Sequence, residues 1–214
     1  MCDVITAADY MYGITKRDHN VVGYAETTRG DVASSADLRG NTVTYQMTGK
    51  SPQGEDDTMA TAQRFVDWLN KQGANWGAPE EYHGPFIDAV SKEQIDNSGA
   101  VLYIQVVRAI VNDKVWSKFS KDGIFSGRAP ISAIAKDLSG AIKKKTDRIP
   151  SDKKQKITLL IDANRSPGHA FPVVIKEFKE EYGAIIERFG FKSVYVAAYS
   201  ADLVYRLDST YRDA

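Results

Sequence analysis

Val101-Leu102-Tyr103-Ile104-Gln105-Val106-Val107 is a nearly unbroken apolar run, interrupted by Gln105 and closed by Arg108. A strand with one wet face alternates apolar and polar residues, whereas a continuous run implies cover on both faces, as in the middle of an α/β sheet. Just before it, Asp96-Asn97-Ser98-Gly99 is a turn signal. Pro85-Phe86-Ile87-Asp88-Ala89-Val90 then reads as a second strand, paired antiparallel to the first through that turn. On the far side, Pro130 suits the first turn of a helix, and Ile131, Ile134, Ala135, Leu138, Ala141 and Ile142 recur at helical spacing. Ile157 to Asp162 reads as a buried strand. Phe171 to Phe189 follows as a helix with Phe171, Val174, Ile175, Phe178, Tyr182, Ile185 and Phe189 inward. Ser193 to Ala197 is a further strand, and Leu203 to Leu207 a final edge strand. Strand, helix and strand in succession normally form a right-handed parallel crossover. The expected fold class is therefore α/β, a mixed central sheet flanked by helices.

Toward the amino end, Ser51-Pro52-Gln53-Gly54-Glu55-Asp56-Asp57 opens a helix whose apolar stripe is Met59, Ala62, Val66 and Leu69, with Phe65 beside it. Gly73 closes it. Upstream, Val21 to Ala25, Asp31 to Ser35 and Thr42 to Gln46 are short β-rich runs separated by Thr28-Arg29-Gly30 and Arg39-Gly40-Asn41. They predict a small antiparallel β meander, serving either as an add-on for contacts or as cover for a core edge. Residues 1–20 show no clear period and read as partly disordered or a short helix. Asn112 to Ser120, with Trp116 and Phe119, reads as a short helix or irregular packing segment. The expected division is an extension over 1–50 carrying the meander and an α/β core over 51–214.

A hydrophobic fraction of 43% over 214 residues is enough for a substantial core. The formal net charge is zero, so no global field draws the chain onto nucleic acid, and such binding needs a local basic patch. The single cysteine, Cys2, excludes an intramolecular disulfide and argues against a Cys-His nucleophile pair. No basic segment followed by an apolar run marks a leader, and no apolar stretch reaches the roughly 20 residues that span a membrane. The expectation is a cytoplasmic chain with no membrane partner.

Three residues stand apart chemically. Glu55 lies four positions before Met59, in register with the apolar stripe, where it is either a first-turn acid favoured by the helix dipole or a carboxylate over the sheet edge. Asp88 is an acid inside an apolar strand, which is costly unless it is paired, hydrogen-bonded or bound to a hard cation. Gln105 interrupts the central run and can approach Asp88 if the two strands pair; a glutamine bonded to backbone is the plain alternative. Lys143-Lys144-Lys145, with Arg148, Lys153, Lys154 and Lys156, forms a basic run that suits either a phosphate backbone or a solvated helix end. The loop Asp162 to His169 follows a buried strand, where ligands of open α/β sheets bind, although its Asp and Asn are also ordinary turn residues. His19 and His83 lack partners at zinc-ligand spacing.

A helix acid, a strand acid and then an acid or glutamine on the next strand is an order that resembles the PD-(D/E)xK restriction-endonuclease-like superfamily. The resemblance runs from Glu55 to Ala198 and leaves out the meander. It implies a restriction-endonuclease-like core with magnesium or manganese held by Asp88, Gln105 and Glu55, and hydrolysis of phosphodiester bonds in DNA. It also implies a setting such as defence or processing. The superfamily places a lysine two residues after the position of Gln105, and this chain has Val107 there. Arg108 is one residue later, and Lys92 and Lys118 are other donors. The alternative is a catalytically inactive module of the same fold that binds nucleic acid or a protein partner and oligomerises, with Trp68, Trp76 and Trp116 near its contact surface.

Overall fold

In the computed structural model, residues 3–7, 12–17, 20–27, 30–37, 41–48, 58–94, 99–109, 124–163, 170–198 and 203–208 are described. From the amino end come β1 (Asp3–Ala7), β2 (Tyr12–Arg17), β3 (Asn20–Thr27), β4 (Gly30–Asp37), β5 (Thr42–Thr48) and α1 (Thr58–Lys71). Next are β6 (Glu80–Glu81), β7 (Ala89–Lys92), β8 (Val101–Arg108), β9 (Ile124–Pro130), α2 (Ile131–Thr146) and α3 (Ser151–Lys154). Last come β10 (Ile157–Asp162), α4 (Phe171–Glu187), β11 (Ser193–Ala197) and β12 (Val204–Arg206).

The central sheet has the order β12-β11-β10-β8-β7-β6. Strands β8, β10 and β11 are parallel, while β7, β6 and β12 run antiparallel to their neighbours, so the sheet is mixed. All residues of β10 and β11 are buried, as continuous apolar runs require. Alternation divides them between two cores. Leu159 and Ile161 meet Leu138 and Ile142 of α2 and Phe178 of α4 on one face. Leu160, with Ile104 and Val106 of β8, meets Phe65 and Val66 of α1 on the other. The helix stripe expected over Ile131 to Ile142 is buried at all six positions.

The second sheet is an antiparallel meander, ordered β1-β2-β3-β4-β5-β9. Its last partner comes from the middle of the chain, since β9 pairs along β5 from Thr42↔Pro130 to Thr48↔Ile124. Val43 is fully buried in the core beneath α2, and the Ile131 N–H donates to the Asn41 carbonyl at 3.0 Å. The meander is thus tied to the first turn of α2.

Several local expectations are corrected. Residues 3–7 and 12–17 form β1 and β2 instead of a partly disordered stretch or a short helix, because β1 pairs with β2 and β2 with β3, a pairing that no local period reports. Composition does not announce strand β9, since Gly127 and Pro130 are strand breakers; its pairing with β5 makes it a strand. Pro85 to Asp88 is a turn and not the start of a strand, and β7 begins at Ala89. On α4, Ile185 is 47% exposed while Ile186 holds the inward position, two turns beyond Phe178. No helix among the described residues is long and apolar enough to cross a membrane.

Candidate active site

Asp88 stands one residue before β7, where the chain leaves the turn and enters the sheet. Its N–H donates to the Ile104 carbonyl at 2.9 Å, and its own carbonyl accepts from the Tyr82 N–H at 3.0 Å. Because the chain before Asp88 is a turn, Val106 on β8 has no β7 residue beside it, although β10 runs along its other side. The Asp88 carboxylate fills the gap: Oδ2 accepts the Val106 N–H at 2.7 Å. The same oxygen accepts a hydrogen bond from Gln105 Nε2, which also donates to the Val106 carbonyl at 3.1 Å. Gln105 is only 3% exposed. The antiparallel pairing expected between these strands is present, and it brings Asp88 and Gln105 together.

Both side chains lie on the sheet face that α2 covers, because Gln105 shares its face with Val107, a member of that core. The helix contributes the cation. Lys145, in its last turn, is half-buried, and burial pushes its pKa below the ordinary lysine value. The Asp88 carboxylate acts in the opposite direction and holds the proton, while Arg148 and Lys144 add to the depression. In the sequence Lys145 is one member of a basic run that suits either a phosphate backbone or a solvated helix end. The signal that singles it out is its spacing, three residues after Ile142 and four after Ala141, on the buried stripe of α2. Lys143 and Lys144 fall off that stripe and are exposed.

The other sequence candidates are placed differently. Arg108 projects to the opposite face, and its Nε lies 3.9 Å from Oδ2 of Asp162, a carboxylate buried to 7% exposure at the end of β10. Parallel pairing sets those two residues directly opposite each other. Lys92 lies 3.8 Å from Glu80 on the exposed edge of the sheet. Glu55, Lys118, His19, Trp116 and most of the loop after Asp162 fall outside the described residues. Trp68 and Trp76 pack against the core under α1, and Trp68 meets Tyr195 edge-on, with ring centroids 5.6 Å apart. Among the described residues, no group of three or more His, Cys, Asp or Glu side chains is placed to hold a metal.

Fold and site together define a mixed α/β protein with a hydrogen-bonded acid–amide pair at one edge of its central sheet and a half-buried lysine within electrostatic reach of the acid. No family model, curated protein or solved structure matches this chain.

Proposed function

We propose that the chain hydrolyses phosphodiester bonds of nucleic acid, with a divalent cation, at the cluster of Asp88, Gln105 and Lys145. The carrying observation is that Asp88 and the buried Gln105 are hydrogen-bonded at the sheet edge, with Lys145 of α2 within electrostatic reach of the carboxylate, although the strand position expected to supply a lysine is Val107. The order α1, β7, β8, α2, β10 supports the reading, since it follows the sequence of elements that the PD-(D/E)xK resemblance implies.

The donor set suits a hard cation in kind. Asp88 offers carboxylate oxygen, and a half-turn of the Gln105 amide, whose nitrogen now faces Asp88, would offer its carbonyl oxygen. Magnesium or manganese commonly takes one or two carboxylates and completes its shell with water and substrate phosphate, so few protein donors suffice. Asp88 and Gln105 would hold it, with Glu55 as the remaining acid. Such an ion, when bound, lowers the pKa of water and polarises a phosphate oxygen. Lys145 would neutralise charge that develops on the phosphoryl oxygens, where a fixed cation in a half-buried site acts more strongly than in bulk water.

The test is incubation of the purified chain with plasmid and with single strands in magnesium or manganese. Cleavage that Asp88→Ala removes supports the reading, and cleavage that survives it removes the site. A chain that cleaves nothing and sediments as a stable oligomer would point to the non-catalytic module.

A further inference from the structure

The turn that delivers Asp88 also carries two exposed aromatic rings. Tyr82 is 41% exposed and Phe86 is 37% exposed, against a described core that hides nearly every other large apolar side chain. Tyr82 extends the β6–β7 ladder through its N–H to Asp88, so it stands opposite Asp88 and on the same sheet face. The row across the sheet is Tyr82, Asp88, Gln105. The Tyr82 ring is braced as well: it meets Tyr103 edge-on at 6.5 Å between centroids, and a Cβ at position 84 would collide with it, so Gly84 makes its position possible.

Phe86 is held at φ +66°, in the left-handed region where a bulky side chain is a rare outlier. Glycine would take that conformation without strain. The strained residue belongs to neither core cluster and keeps 37% of its surface exposed. Strained residues of this kind cluster at functional sites. The nearby charge is favourable for phosphate: Lys145, Lys144 and Arg148 lie close enough to act on one another. Of the acids at the edge, Glu80 shares the face of Tyr82 and lies 3.8 Å from Lys92, and Glu81 projects with Ala89 to the opposite face.

We infer that Tyr82 and Phe86 form a stacking platform for unpaired bases, so that the site takes single-stranded nucleic acid in preference to an intact duplex. The inference rests on the phosphodiesterase reading and specifies its substrate. Base faces inside a duplex are covered by their neighbours, whereas a free strand can lay them on aromatic rings, a contact tolerant of sequence. The backbone phosphates would then fall to the cations of α2 and the segment after it.

Binding separates this from catalysis. Fluorescence anisotropy of wild-type chain in EDTA, with a labelled single strand and with its duplex, should show the single strand bound at least roughly tenfold more tightly. Tyr82→Leu and Phe86→Leu should each weaken single-strand binding by roughly fivefold or more, while Tyr82→Trp and Phe86→Trp retain it. Phe86→Gly should raise the melting temperature and weaken binding together, a combination that a purely structural phenyl would not give. Equal or tighter duplex binding, or leucine variants that bind like wild type, would overturn the inference. So would Phe86→Gly melting below wild type. Metal-dependent cleavage of duplex that persists in the leucine variants would overturn the platform and leave the hydrolase reading in place. Single-strand binding with no cleavage under any metal would remove the hydrolase reading instead.

Discussion

Two acids, each with a cation in electrostatic reach, flank β8 on opposite faces of the central sheet, and the two arrangements are built differently. Asp162 and Arg108 are register neighbours on adjacent parallel strands, and one strand contact explains their meeting. Asp88 and Lys145 come from different layers, a turn at the sheet edge and the end of a helix fifty-odd residues later. Asp162 is nearly sealed, and its partner Arg108 leans out to solvent at 46% side-chain exposure. Asp88 is half-buried, and its carboxylate is aimed by the Val106 N–H and the Gln105 amide. The first pair closes the end of two strands. The second holds a charged oxygen in place at an edge that also carries two exposed aromatic rings.

The comparison is broken most sharply by activity. Asp88→Ala should take cleavage below detection in a plasmid or single-strand assay, whereas Asp162→Asn should leave the rate near wild type; equal losses would erase the distinction. Lys145→Met should lower the rate by roughly 100-fold, the scale set by removing one preorganised donor at a developing charge. Arg108→Met should leave it unchanged, and the opposite result would return Arg108 to the site.

Stability gives a smaller contrast. Asp88→Ala leaves the Val106 N–H without its acceptor and should cost about 1–3 kcal/mol in denaturant unfolding. Arg108→Met removes an ion pair with one open partner and should cost about 0–1 kcal/mol.

The smallest effect is a titration. Burial disfavours the Lys145 ammonium and the Asp88 carboxylate favours it, with burial the larger influence, so Lys145 should lose its proton at lower pH than solvent lysines. Amine acylation followed by mass spectrometry should label it first as pH rises, once access is normalised with the unfolded chain. Asp88→Asn removes the favourable charge and should shift that labelling to still lower pH. The linked sign on stability follows: the unfolded chain binds more protons just below the ordinary lysine value of 10.5, so this group adds stability as pH climbs through that window. A labelling order that Asp88→Asn leaves alone would place the two groups apart.

Much of the fold was legible because burial imposes a period. Val101 to Val107, Ile157 to Asp162 and Ser193 to Ala197 are apolar on both faces and could only be central strands, while the stripe from Ile131 to Ile142 could only be a helix on that sheet. Asp88 and Gln105 were also legible, as polar groups breaking apolar runs on strands close enough in sequence to pair. Less was visible at the edges. Strand β9 carries a glycine and ends in proline, and it exists through its bonds to β5. At the end of α4 the pattern points to Ile185 while the structure buries Ile186, because the two are chemically alike and helix geometry alone decides which faces inward.

By itself, then, the sequence determined the periodic elements, the mixed sheet and the acid–amide pair on its hairpin, since each follows from residues near one another in the chain. Only the tertiary structure decided that Lys145 comes within electrostatic reach of Asp88 while Arg108 turns to the opposite face. That choice depends on how α2 lies across the sheet and where its last turn ends. Packing between layers fixes both, and no local pattern along the chain reports it.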